Sequence, residues 1–206
     1  MLRLRAWGRT VGRVVSRARR TGVTVGFIIG SATLFAGAAA TKIDPQDAEF
    51  LASVNRSITE LAGQPGPQAS STCDRIVAST INMDAVIQSA LSQMWGRISL
   101  QQRTAFRAAA RRWAVRDCLR QNQGNEGNPL EFLGIRQGED GERLLATRSS
   151  KPAHTIIWHL RGSGRVRAVD VVIDGGSMVL SLRDETKALL DRNNDDIDIA
   201  TEILGR

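Results

Sequence analysis

The side chains best suited to chemistry are two histidines and two aspartates in the C-terminal half, His154, His159, Asp170 and Asp174. If they fall on neighbouring strands, an imidazole can meet a carboxylate, which is the minimum for proton transfer. No nucleophile elbow, glycine-rich phosphate loop or metal-spaced His/Cys set accompanies them. His154 and His159 are five residues apart, so on one strand they point to opposite faces and cannot share a metal. A cross-strand polar contact is therefore the expected role of these groups, and the chain reads as a non-enzyme with no cofactor. A hydrolase or isomerase would need one of the imidazoles to point into a cavity beside Asp170 or Asp174.

The remaining reactive side chains are Cys73 and Cys118. An exported chain meets an oxidising compartment, where a disulfide between them is one reading and two buried free thiols the other. The compartment is indicated by the first forty residues. They hold seven arginines and no acid, then an apolar run over 23–40 that ends in Ala36-Gly37-Ala38-Ala39-Ala40. This is the order of a secretory signal peptide over residues 1–40, cleaved after Ala38 or Ala40. The same run is nearly long enough to stay as a membrane anchor. The Arg19-Arg20 pair lacks the bulky apolar residues that a twin-arginine signal places directly behind it.

Seven of the 28 Lys and Arg lie in that leader, which leaves 21 against 21 Asp and Glu. The remainder is formally neutral, so a nucleic-acid partner is not expected. Arg103, Arg107, Arg111, Arg112 and Arg116 form the one basic run and read as a solvated helix face. Residues 41–206 suffice for one domain with one core, and a monomer is expected.

The elements that must position these groups follow from periodicity. Asp44-Pro45 reads as an N-cap with proline at the first helical position, followed by Ala48, Leu51, Val54, Ile58 and Leu61 at helical spacing. Residues 63–71 read as a loop. Two helical runs follow, through Cys73, Ile76 and Val77 and from an Asn82 cap through Met83 to Trp95. Ser99-Leu-Gln-Gln102 is a capping box that opens a long helix with Phe106, Ala109, Ala110, Trp113 and Cys118 on its apolar stripe.

After Pro129 the period changes from about 3.6 to 2. Four strands are predicted near 131–137, 142–149, 153–161 and 165–174, joined by short connections that imply an antiparallel meander. Ile156, Trp158 and Leu160 share one face of the third strand, and Val169, Val171 and Ile173 one face of the fourth. Helices with Leu182, Leu189 and Leu190, and with Ile197, Ala200, Ile203 and Leu204, close the chain. The fold class is α+β, a helical N-terminal half plus a four-stranded antiparallel sheet and C-terminal helices.

The run from Arg165 to Thr186 resembles the signature of the MlaC, or toluene-tolerance, family of periplasmic phospholipid-binding proteins. Asp170-Val171, Ile173-Asp174-Gly175, Ser177-Met178-Val179 and Arg183 stand at the matching positions. Upstream, the helix ending in Trp95, the Ser99 box, Phe106, Thr147, Trp158 and Leu160 extend the likeness over nearly all of 41–206. Gly176, Leu182 and Thr186 depart from a usual valine, aromatic and phenylalanine, and there is no tyrosine.

The resemblance implies a periplasmic lipid carrier whose helices and sheet enclose an apolar cavity. Its implied partners are a phospholipid cargo, an inner-membrane ABC transporter complex and an outer-membrane lipoprotein complex. A related branch is associated with hopanoid-producing bacteria, which adds a hopanoid as cargo. An auxiliary subunit of the same fold that carries no lipid is the alternative. Candidate cavity residues are Trp95, Phe106, Trp113, Ile156, Trp158, Leu160, Val171 and Ile173, each with ordinary core packing as the other reading. Asp170, Gly175, Ser177 and Arg183 are the motif residues, with Asp170 and Arg183 expected to pair between the sheet and the last helices.

Overall fold

The structure, a computed structural model, describes residues 42–124 and 126–206. The proposed leader lies outside the described residues. Residues 41–206 form one compact unit. Its elements run α1 (Pro45–Leu61), α2 (Gly66–Thr80), α3 (Met83–Leu91), α4 (Gln93–Arg97), α5 (Leu100–Gln121), β1 (Glu131–Gln137), β2 (Arg143–Ser150), β3 (Ala153–Arg161), β4 (Arg167–Ile173), β5 (Gly176–Ser177), α6 (Met178–Arg192) and α7 (Ile197–Leu204).

Caps begin several of the helices. The Asp44 carboxylate accepts the Gln46 amide, the Asn82 side chain accepts the Ala85 amide, and Ser99 and Gln102 complete the capping box of α5. Two helical boundaries differ from expectation. The stretch 63–71 is a loop only as far as Pro65, because a proline in the first turn costs no hydrogen bond and Ala69, Cys73 and Val77 are worth burying. The run from Met83 to Trp95 is two helices, broken at Ser92, which takes φ 48°. That is the left-handed side of backbone space, where a helix of L-residues cannot continue.

The sheet is five-stranded and antiparallel in the order β1-β2-β3-β4-β5. The expected meander gains one short strand, formed as the chain turns from β4 into α6. A bulge in β4 changes which residues face the core. His159 pairs with Asp170 but Leu160 with Ala168, so Val169 is the extra residue. A bulge breaks the alternation of faces. Ala168 consequently joins Val171 in the main core while Val169 does not, a correction to the assignment of Val169, Val171 and Ile173 to one face.

Cys73 in α2 and Cys118 in α5 are disulfide-bonded and lie in a small apolar cluster with Leu61 and Ala69. The two helices are also joined by Arg111 and Asp74, whose Nε and Nη2 donate to the carboxylate at 2.6 and 2.7 Å. That hydrogen bond holds the Asp74 carboxyl below the usual carboxylate range. A group whose folded pKa is depressed stabilises the fold above its unfolded pKa and loses that contribution as pH falls through the folded value. Stability should therefore drop in acid below the ordinary Asp value of 3.8. Asp74→Asn should make the acid limb of a melting-temperature profile shallower and lower its neutral plateau by the same contribution.

Candidate functional site

Because strand residues alternate, the registers of β1 to β4 build the inner face of the sheet as rows. One row runs Phe132, Thr147, Ile156, Ile173, and the next Ile135, Leu145, Trp158, Val171. A bulge at Leu133 lets Phe132 and Ile135 both reach this side. A third row places Leu160 beside Ala168. Burial deepens along the face: Ile156, Ile173 and Phe132 are half-buried, Trp158 and Val171 are 9% and 8% exposed, and Leu160 and Ala168 are 0% exposed. The inner face is thus apolar, fully buried at Leu145, Thr147, Leu160 and Ala168 and partly exposed at Phe132, Ile135, Ile156 and Ile173.

Its polar groups are satisfied. The Trp158 indole N–H donates to Thr147 Oγ1 at 3.0 Å, and the Thr147 hydroxyl to the Ile156 carbonyl. Phe50 of α1 meets the Trp158 ring edge-to-face at 5.5 Å. α1 is held to the sheet by Asp47, which is fully buried and receives both Nε and Nη2 of Arg143 at 2.8 to 3.0 Å.

The remaining candidates are dispersed. Phe106 has no surface that water can reach, outside or inside, and so packs on every side, as does Leu160. Trp113 ties α5 to α6 through its indole N–H, which donates to Glu185 at 2.7 Å. Trp95 is half-buried in α4, and the Arg103 and Arg107 guanidinium groups lie 5.4 and 5.1 Å from its ring centre.

The imidazoles are separated. His154, at the partly exposed end of the inner face, meets Asp174 at 2.6 Å, and His159, on the outer face, meets Glu142 at 3.0 Å. Burial pushes the Asp174 carboxyl up, but the hydrogen bonds from His154 and the Thr155 amide outweigh it and hold it below its usual range. The one serine hydroxyl beside His154, that of Ser149, accepts the His154 backbone amide and donates to the Pro152 carbonyl, so it is not set up as a nucleophile. Among the described residues no group of acids, histidines and cysteines is spaced to hold a metal.

The motif residues begin a helix. Asp170 accepts from the Val171 amide at 2.8 Å, the Ser177 hydroxyl at 2.6 Å and the Val179 amide at 3.0 Å. Ser177 in turn caps α6 by accepting the Leu180 amide, and Gly175, at φ +87°, makes the turn between them. Arg183 does not pair with Asp170. It donates to the Ser89 and Ala90 carbonyls, the free acceptors at the end of α3, because a cation there finds unsatisfied carbonyls and the negative end of the helix.

The family described as MlaC protein matches the chain over residues 48–204, from the first turn of α1 to the end of α7. The chain belongs to the MlaC family. A solved phospholipid-binding protein from Ralstonia solanacearum, in complex with a phospholipid, has the same fold, with a TM-score of 0.64 at 11% identity. The likeness covers 77% of this MlaC-family chain and 92% of the other. No curated protein matches. In this MlaC fold the signature around Asp170 acts mechanically, anchoring α6 to β4 by a carboxylate that satisfies free amides at the helix start. Asp170→Ala should therefore cost about 1–3 kcal/mol of unfolding free energy by leaving those donors unpaired, a loss that denaturant titration would detect.

Proposed function

We propose that this protein is a periplasmic lipid carrier, exported by its N-terminal leader, that moves phospholipid between the outer membrane and an inner-membrane ABC transporter. The observation that carries the reading is the apolar inner face of the sheet, which is partly exposed at Phe132, Ile156 and Ile173. Family membership and the phospholipid in the related fold support it.

The physical need is plain. Each methylene exposed to water costs about 0.8 kcal/mol, so a diacyl lipid crosses an aqueous space only inside an apolar cover. Acyl chains would enter beside Ile156 and Ile173 and extend toward Trp158 and Val171. The headgroup would stay near His154 and Asp174 at the partly exposed end.

The double variant Ile156→Arg/Ile173→Arg tests this directly. The two positions are half-buried and directly opposed across β3 and β4, so folding is checked first by circular dichroism; in a folded variant the charges set against acyl chains should weaken lipid retention more than about tenfold. Retention at the parent level in a folded variant would move the cargo elsewhere.

One observation favours a second reading, an auxiliary subunit of the transport system with a closed interior. Phe106, Leu145, Leu160 and Leu182 have no water-accessible surface and belong to one continuous core. The two readings separate on whether the protein takes up lipid at all.

A further inference from the structure

The corner between α4 and α5 carries charge and apolar surface that the lipid site does not use. From Ala85 to Arg116 the chain has six arginines and no acid. Four of them are engaged. Arg107 pairs with Asp84 and Arg111 with Asp74, while Arg112 and Arg116 donate to the carbonyls of Gly205 and Leu204. Arg97 has no hydrogen-bond or ion-pair partner among the described residues. Arg103 donates to the Gly96 carbonyl and lies over the Trp95 ring, with its buried Nε unpartnered and no acid paired with it. Of the neighbouring acids, Asp84 is paired with Arg107, while Asp198 accepts from the neutral Gln102 amide and keeps its charge.

The same corner exposes apolar side chains. Leu100, the first residue of α5, is 75% exposed, against 50% for Leu180 and 43% for Ile199. Nothing in the fold requires a leucine there, because Ser99 and Gln102 already cap the helix. Met94, Trp95 and Ile98 are half-exposed yet pack against the main core, so the apolar surface is continuous with the interior.

We propose that Trp95, Arg97, Leu100 and Arg103 form a docking corner for a bilayer surface rich in anionic phospholipid. An indole and an exposed leucine flanked by unneutralised guanidinium groups is the combination that holds a protein at a lipid headgroup layer. The aromatic and aliphatic groups enter the acyl boundary and the cations meet phosphates. Charge complementarity decides the partner, since residues 85–116 hold six arginines and no acid, and neither Arg97 nor Arg103 has an acidic partner among the described residues. The choice of a bilayer rests on the carrier reading, because a carrier must meet the membrane it loads from.

Flotation of the compact unit, residues 41–206, with phosphatidylcholine vesicles prepared with and without phosphatidylglycerol tests the proposal. The protein should float only with the anionic vesicles, and added salt should release it. At about 1 kcal/mol per arginine, Arg97→Gln should weaken binding about fivefold and Arg97→Gln/Arg103→Gln roughly thirtyfold. Leu100→Ser, at an exposed position, should weaken it about tenfold. Equal flotation with both vesicle types, or a double variant that floats like the parent, overturns the docking corner. Lipid uptake from detergent micelles is measured on the same samples, so docking without uptake would remove the carrier reading and leave the corner standing.

Discussion

Asp47→Ala should destabilise the protein by about 3–5 kcal/mol, the largest effect expected of any single substitution described here. Asp47 is wholly buried in the first turn of α1, and the Arg143 guanidinium at the start of β2 closes on it through both Nε and Nη2. Removing the carboxylate leaves a guanidinium facing a site that water enters poorly. Arg143→Ala leaves the reverse, an acid with no counter-charge inside the core. The double variant Asp47→Leu/Arg143→Met should recover most of the loss, because a buried pair contributes little net stability over apolar groups of similar volume. Chemical denaturation of the three variants measures this. A double variant as unstable as the singles would mean that α1 is held mainly by the pair's geometry and not by the burial of Phe50, Leu51 and Val54.

The second large effect concerns the disulfide. Replacing Cys73 and Cys118 by alanine should cost about 2–4 kcal/mol, since the bond closes a long loop and so restricts the unfolded chain. The separation is 45 residues. The local cluster it serves is small, Leu61 and Ala69 with partly buried Ile76, Val115 and Leu119, so apolar packing alone holds α2 to α5 weakly there. Thermal unfolding with and without reductant would show it: the parent should lose stability on reduction and the double alanine variant should be indifferent. Equal melting of parent and variant under oxidising conditions would show that Arg111 and Asp74 suffice to join the helices.

The parts of the fold that sequence exposes are those set by local chemistry. Asp44-Pro45, Asn82 and the Ser99–Gln102 box each satisfy free amides with residues adjacent in the chain, so helix starts could be read from them. The strands of the meander showed in their period and short turns. What stayed hidden depends on tertiary contact. Ser92 at φ 48° carries no glycine or asparagine to announce a break. The β4 bulge that swaps Val169 for Ala168 is set by pairing with β3, which no window of one strand displays. Asp170 and Arg183 looked like partners by charge, yet each found unsatisfied backbone groups at a different helix end.

The inner face of the sheet was legible in the same way. Ile156, Trp158, Val171 and Ile173 came from strand parity and do share the inner face, whereas Phe132 and Ile135 were missed because the β1 bulge disturbs their alternation, and Leu145 because its neighbours Leu144 and Ala146 on the other face are apolar and buried too. Asp47 offered a signal that went unread. It stands four residues before Leu51 and seven before Val54, on the apolar stripe of α1, where an acid is expected to be buried and paired. Its partner lies 96 residues away and could not be named from sequence.

The lipid itself is the most direct test of the account. Protein purified from the periplasm without detergent, extracted into organic solvent and analysed by mass spectrometry, should release diacyl phospholipid at close to one molecule per chain; a hopanoid in its place would keep the carrier and change the cargo. A chain that comes out lipid-free and refuses added lipid would contradict the carrier reading and leave an auxiliary subunit with a closed core.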